Sequence, residues 1–411
     1  MAALIPELLA PAGNFEKLKI ALAMGADAVY ASGEAFGLRN QASNFRPDEL
    51  KDAIDYTHHA GKKIYITVNI YAHEIHLAPL KIWLKFLDTL QPDGIIVSDP
   101  GAILLAQSYC PTIPLHLSTQ ANTTNHLAVK FYQQLGIQRI NLARELTVDE
   151  IRSIRCESKM KLEIFVHGAM CMAYSGRCLI SAALNARSAN QGDCTHPCRW
   201  DFTLLESSRP GESFPIEEDD YGSYILNSKD LCLLEHLPAI TEIGIDSIKI
   251  EGRMKSIHYL TTTVAVYRSA LDTLASSPQT FNNQLAEWQS RLNEVDHRPY
   301  TSAFFGGTPP HLLQNYSSLD YLRQFKTVAI VRRIYKKTWI LLEIKSPFSK
   351  TDQLESYTPE GLIHQVQMPQ SFSLFGEEIE EFHSNDFVLI EYDKRFAIHS
   401  LIRKKLLKQT I

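Results

Sequence analysis

One phrase recurs through the first 250 residues: a helix-like segment, a turn carrying glycine, then a short apolar run. It occurs at Met24–Tyr30, His59–Tyr65, Pro92–Val97, Leu135–Asn141 and Ile243–Lys249. Glycine after a helical segment takes the left-handed conformation that stops a helix. The apolar run behind it reads as a strand covered on both faces. Glu7–Ala10, Pro114–Ser118 and Leu162–Val166 are further strand candidates. The helices between them carry matching signals: Asn14 is placed to cap, and Phe15, Leu18 and Leu22 share one face before Gly25. Alternating strands and helices imply a parallel sheet. About eight strands over roughly 250 residues predict an α/β fold, a (β/α)8 TIM-like barrel rather than an open doubly wound sheet. Tyr224–Asn227 is a ninth candidate, which we assign to a cysteine-rich insertion at about 167–222 that begins after Val166.

Past residue 275 the character changes. Residues 276–326 read as a turn-rich linker with a helical stretch near Leu285–Val295, and 327–411 as a small all-β domain. Its expected strands are Val328–Ile334, Trp339–Ile344, Leu362–Gln367, Phe387–Glu391 and Arg395–Leu401. Basic residues gather there: Arg332, Arg333, Lys336, Lys337, Arg403, Lys404, Lys405 and Lys408. They read either as a solvated surface or as a patch for RNA phosphates. The net charge of −5 gives no global basic field, so any RNA contact has to be local. The N-terminus has neither the basic region nor the apolar core of a signal peptide, and no apolar run approaches the roughly 18 residues of a membrane span. The expectation is a cytoplasmic protein with no membrane partner.

Four of the seven cysteines fall between Cys171 and Cys198, and an odd total argues against a disulfide framework. Four thiolates suit tetrahedral zinc or an iron–sulfur cluster. Only Cys194 and Cys198 form the short hook that structural zinc favours, and Cys171 and Cys178 stand further apart. The surrounding Gly, Arg, Asn and Asp speak against four buried small hydrophobes. Cys232, just after Asn227–Asp230, is an alternative fourth ligand; Cys110 and Cys156 look structural.

A second group lies at the expected carboxyl ends of strands, where barrel enzymes keep their active sites. It comprises Asn69, Ser98, Asp99, Gln120, Asn122, Arg144, Glu145, His167, Lys249, Glu251 and Arg253, with Arg39 from the loop after the second strand. Polar residues often cap strands or pair locally, so each alone says little; together they describe a polar mouth with several cations. Lys249 and Arg253 flank Glu251 and suit a carboxylate or phosphate. Conventional hydrolase motifs are missing. His73–His76 is one residue short of H-E-x-x-H, and Ala173 stands where a nucleophile elbow needs glycine.

The stretch from Glu163 to Cys171 and from Gly176 to Ser181 resembles the collagenase-like peptidase U32 family. Glu7–Gly13, Gly25–Tyr30, Ser98–Gly101, Leu117–Asn122, Asn227–Leu231 and Lys249–Arg253 carry the resemblance along the chain. Within the family it is similar to the branch that makes 5-hydroxyuridine in tRNA. The resemblance implies a barrel, an iron–sulfur cluster (4Fe–4S) on Cys171, Cys178, Cys194 and Cys198, and oxygen-independent hydroxylation of the wobble uridine of tRNA. It also implies prephenate, a small dicarboxylate, as hydroxyl source. Lys249, Arg253 and Arg39 would then meet its carboxylates, Asn69, Gln120, Asn122 and Arg144 would complete the binding surface, and His167, Glu251 and Glu145 are the acid–base candidates. Two other readings stay open: a U32-type peptidase, and a non-catalytic barrel braced by zinc.

Overall fold

The computed structural model describes residues 5–38, 44–171, 173, 175–197, 228–307, 322, 324–359 and 361–406, with four pairs at 204–205, 213–214, 218–219 and 222–223. Arg39, Cys198, the strand candidate Tyr224–Asn227 and Lys408 lie outside the described residues. The phrase read from the sequence folds as expected. Strands β1 (Glu7–Pro11), β2 (Ala28–Ala31), β3 (Lys63–Val68), β4 (Gly94–Val97), β5 (Leu115–Leu117), β6 (Arg139–Asn141) and β7 (Lys161–Ala169) pair in parallel, each with the next. A later strand, β9 (Ser247–Ile250), pairs in parallel with both β7 and β1 and closes an eight-stranded barrel. Strand β8 (Asp230–Cys232) stays outside the ring: it runs antiparallel along the end of β7, setting Cys232 opposite His167.

Helices α1 (Phe15–Ala23) to α6 (Val148–Glu157) alternate with these strands, α7 (Ile180–Asn185) lies in the insertion, α8 (Leu237–Ile243) precedes β9, and α9 (Ile257–Ser276) follows it. Asn14 caps α1 by accepting a 2.9 Å hydrogen bond from the Lys17 amide. Asp99 does the same for α4 (Pro100–Tyr109) through the Ala102 amide, so this member of the expected mouth is a helix cap. Ser98 donates to the Asn69 carbonyl and is likewise spent on the framework. The outward faces of the strands and the inner faces of the helices form one continuous apolar core. Among the described residues no helix is long and apolar enough to cross a membrane.

The C-terminal domain is a seven-stranded antiparallel sheet. Its strands are β11 (Phe325–Tyr335), β12 (Trp339–Ile344), β13 (Leu354–Tyr357), β14 (Ile363–Val366), β15 (Ser371–Ser373), β16 (Phe387–Glu391) and β17 (Leu401–Lys405), β10 (Tyr300–Thr301) being a short addition beside β8. They lie in the order β14-β13-β17-β11-β12-β16-β15. The expected strand Arg395–Leu401 is a correction, because that segment is turns. The Asp393 carboxylate accepts from the Arg395 amide, and the Ser400 hydroxyl accepts from the Ala397 amide, which winds the chain before β17 begins. The basic cluster also divides. Arg403, 1% exposed, bonds Glu294 of α10 (Phe281–Leu292 and its C-terminal turn) at 2.6 Å and Glu355 at 2.7 Å. Arg332 bridges Glu343 to Glu16 at the start of α1. These two arginines join the domains.

Candidate active site

Strand alternation sends every second side chain into the barrel. On β1, β3, β6, β7 and β9 those positions hold Glu7, Tyr65, Arg139, Asn141, Glu163, Ser247 and Lys249. Arg139 bonds Glu7 at 2.6 Å and Glu163 at 3.3 Å. Glu163 also accepts from Asn141 at 2.9 Å and Ser247 at 3.2 Å, and its carboxylate stands 3.4 Å from Lys249 Nζ. Two acids and two bases thus neutralise one another in the interior, as buried charges must. Burial lowers the Lys249 pKa, while Glu163 and then Glu251 raise it.

Above this floor opens a cavity of about 180 Å³, the scale of a small molecule. Lys249, Glu251 and Arg253 line it from β9 and the turn that follows, Asn69 from the end of β3, and Gln120, Arg144 and Glu145 from the loops after β5 and β6. The Arg144 guanidinium lies 3.8 Å over the Phe165 ring and donates to the Ala169 carbonyl at 2.6 Å. Arg253 donates to the Thr67 hydroxyl at 3.3 Å. Tyr30 reaches Glu251 at 3.3 Å, and the Lys249 ammonium sits 4.2 Å over the Tyr30 ring.

The cysteine-rich insertion closes the cavity from above. Cys171, Cys178 and Cys194 line the same cavity as the cations. Glu145 accepts from the Ser175 amide at 2.9 Å, and the Tyr71 amide donates to the Asn190 carbonyl at 3.0 Å. Gly176 lies between them with φ of +73°, and a Cβ there would overlap the Gln120 carbonyl oxygen and the Tyr71 hydroxyl. The insertion is braced internally by Arg187 on Asp193 (Nε–Oδ2 2.8 Å) and by Asn185 on Thr195 (2.7 Å). The His196 amide donates to Cys194 Sγ at 3.4 Å. Among the described residues no three His, Cys, Asp or Glu side chains stand close enough to hold a single metal ion.

Three expected residues fall elsewhere. His167 is a correction to the acid–base assignment. A bulge between β7 and β9 inserts one residue, so Phe165 pairs with Lys249 but His167 pairs with Ile250. The extra residue turns the imidazole from the barrel interior to the helix side. There it is 1% exposed, with rings of Tyr259, Tyr267 and Tyr300 around it, and burial drives its pKa down to about 3. Asn122, in left-handed backbone at the end of a short 3-10 turn, does not line the cavity. Cys232 lines a different hollow, beside His297 and Tyr300, and burial of its sulfur pushes the thiol up to about 11. Sequence reasoning missed Tyr30, Thr67, Phe165, Ser175, His196 and the Glu7–Arg139–Glu163 network. The available signal was a polar residue at alternate positions of otherwise apolar, two-sided strands.

Comparison with known proteins agrees with this architecture. Residues 13–315 match the model of peptidase family U32. The tRNA hydroxylation protein P1 of Bacillus subtilis is 38% identical over 406 residues, covering 97% of this chain and 94% of that protein. The tRNA hydroxylation protein P of Escherichia coli is 39% identical over 402 residues, covering 87% of each. The 23S rRNA 5-hydroxycytidine C2501 synthase of Escherichia coli is 38% identical over 268 residues, 65% of this chain and 39% of that protein. On this evidence of sequence and on its closed barrel, the chain belongs to peptidase family U32.

Proposed function

We propose that this protein hydroxylates C5 of the wobble uridine of tRNA without molecular oxygen, in the cytoplasm, with prephenate as hydroxyl source and an iron–sulfur cluster of the 4Fe–4S type. The observation that carries the proposal is the shared cavity, where three cysteines face the cations Arg144, Lys249 and Arg253. The names of three similar proteins, two for tRNA hydroxylation and one for rRNA 5-hydroxycytidine synthesis, point the same way.

The chemistry of the donor set supports the cluster. Cys171, Cys178 and Cys194, with Cys198 four residues after Cys194, would hold it. Replacing C5–H by C5–OH is a two-electron oxidation of the base; the co-substrate that gives up its hydroxyl, R–OH becoming R–H, would take those electrons, and a bound cluster would supply electron transfer where zinc supplies none. Cys232 is set apart from the other three thiols, which favours Cys198 as fourth ligand.

The chain's own residues would do the rest. Lys249 and Arg253 bind the carboxylates of the co-substrate, Arg144 adds a third positive charge, and Asn69 and Gln120 meet its polar groups. Glu251, on the cavity wall beside the Tyr30 hydroxyl, is the group we assign to proton transfer. Glu145 holds the insertion through Ser175. A peptidase reading has weaker support, because Ser175 Oγ meets Glu145 and Thr119 rather than an imidazole. Nucleoside analysis of tRNA from a deletion strain tests the proposal: 5-hydroxyuridine-derived nucleosides disappear, and their persistence would overturn it.

A further inference from the structure

The C-terminal sheet leaves one face uncovered over β12, β15, β16 and the end of β11, whereas Ile330, Tyr357 and Leu401 on the same face are buried and packed with Ile257 of α9. Its other face packs Val328, Ile340, Leu342, Val388, Ile390 and Ile402 into the domain core. Register puts Tyr335 opposite Trp339, Arg333 opposite Leu341, and Leu389 between Leu341 and Phe372. These side chains are exposed or half-buried, whereas the residues alternating with them along β12 and β16 are buried. Trp339 meets the Phe372 ring edge-on at 5.5 Å, and the Arg333 guanidinium lies 5.7 Å from the Tyr335 ring centre. An apolar, aromatic sheet face left open to water marks a contact surface.

Charge and strain indicate what it contacts. Lys336 and Lys337 form the turn between β11 and β12, both in left-handed backbone (φ of 46° and 55°), where Asn-Gly would sit at lower cost. Neither lysine nor Arg333 has a carboxylate partner among the described residues. Rings that can stack on bases, edged by free cations, suit an unpaired stretch of nucleic acid better than a protein face. The position fits as well. Glu343, at the far end of the same strand face, is tied through Arg332 to Glu16, and neighbouring Lys17 donates to the carbonyl of Arg253 in the cavity wall at 3.2 Å. The first turn of α1 therefore lies between the open face and the cavity.

We infer that this face, centred on Tyr335 and Trp339 with Arg333, Lys336 and Lys337 at its edge, docks a single-stranded loop of the RNA whose uridine enters the cavity. The inference rests on the tRNA reading above and adds where the RNA is held. The test is binding of an in vitro tRNA transcript to the full, anaerobically purified chain across a salt series, without co-substrate. Tyr335→Ala/Trp339→Ala weakens binding about tenfold or more, and Trp339→Phe, which keeps a ring, binds within a few-fold of wild type. Lys336→Ala/Lys337→Ala lowers the slope of log affinity against log salt by about 2. Unchanged affinity and slope in both double variants would overturn the docking face alone, since wild-type binding would leave the tRNA reading intact. Wild-type protein that binds no tRNA overturns both. Loss of a dimer with tRNA affinity unchanged assigns the face to a second copy of the chain and also overturns the inference.

Discussion

Lys249 Nζ stands 3.4 Å from Glu163 Oε1 in the floor of the cavity, and both residues are more than nine-tenths buried. Burial lowers the Lys249 pKa and the carboxylate opposes that shift, while Arg139 closes the network from below. This arrangement joins the stability of the interior to the cavity, since Lys249 also lines the space where we propose that the co-substrate binds.

Glu163→Gln takes from Lys249 its nearer counter-charge, leaving Glu251, and leaves Arg139 with Glu7 alone. Breaking a buried pair from one side costs about 3 kcal/mol or more. Denaturant unfolding reads this directly, and a variant as stable as wild type would show that the interior is wetter than the geometry implies.

Lys249→Gln removes a charge-assisted contact to a carboxylate, worth about 1.5–3 kcal/mol. The KM for the dicarboxylate rises roughly 10- to 100-fold. If kcat collapses while KM holds, Lys249 acts on the reacting atoms rather than on binding.

Anaerobically purified Cys171→Ser, Cys178→Ser, Cys194→Ser and Cys198→Ser variants lose iron and acid-labile sulfide. Cys232→Ser retains both, because its thiol opens on a separate hollow beside His297. Zinc without sulfide in the wild type would instead favour the braced, non-catalytic barrel.

His167 and His258 are buried neutral, with burial driving each to about 3. In the unfolded chain an imidazole titrates near about 6.5. Between those values the unfolded state binds more protons, so stability is fully present above about 6.5 and is lost as pH falls toward 3. Each histidine contributes a slope of about 1.4 kcal/mol per pH unit. His167→Gln removes one share of that slope; an unaltered slope would mean that the native imidazole carries a proton.

Gly176→Ala places a methyl group against the Gln120 carbonyl in backbone at φ of +73°. The left-handed conformation alone costs about 1–2 kcal/mol, and the overlap adds to it. The insertion lifts from the barrel rim, so iron retention falls while the thermal transition of the barrel shifts little. Full iron content in this variant would show that the insertion holds its cluster without the rim.

The barrel was legible because its evidence is local. Asn14 before an apolar helix face, glycine at its end and a two-sided apolar strand behind it are read within about fifteen residues, and each was found where expected. The thiol cluster was legible for the same reason. The interior network was harder to see, since Glu7, Arg139 and Glu163 are spread over 150 residues and meet only when the ring closes.

By itself the sequence determined the alternation of strand and helix, the closure of the ring and the grouping of cysteines beside a cationic mouth, because spacing and side-chain period decide these. Tertiary structure alone decided which way His167 faces and which arginines of the basic cluster stay available. A one-residue bulge against β9 reverses the imidazole, and partners more than 100 residues away, Glu294 and Glu16, take up Arg403 and Arg332. Register and long-range pairing are properties of the closed fold, and no local pattern carries them.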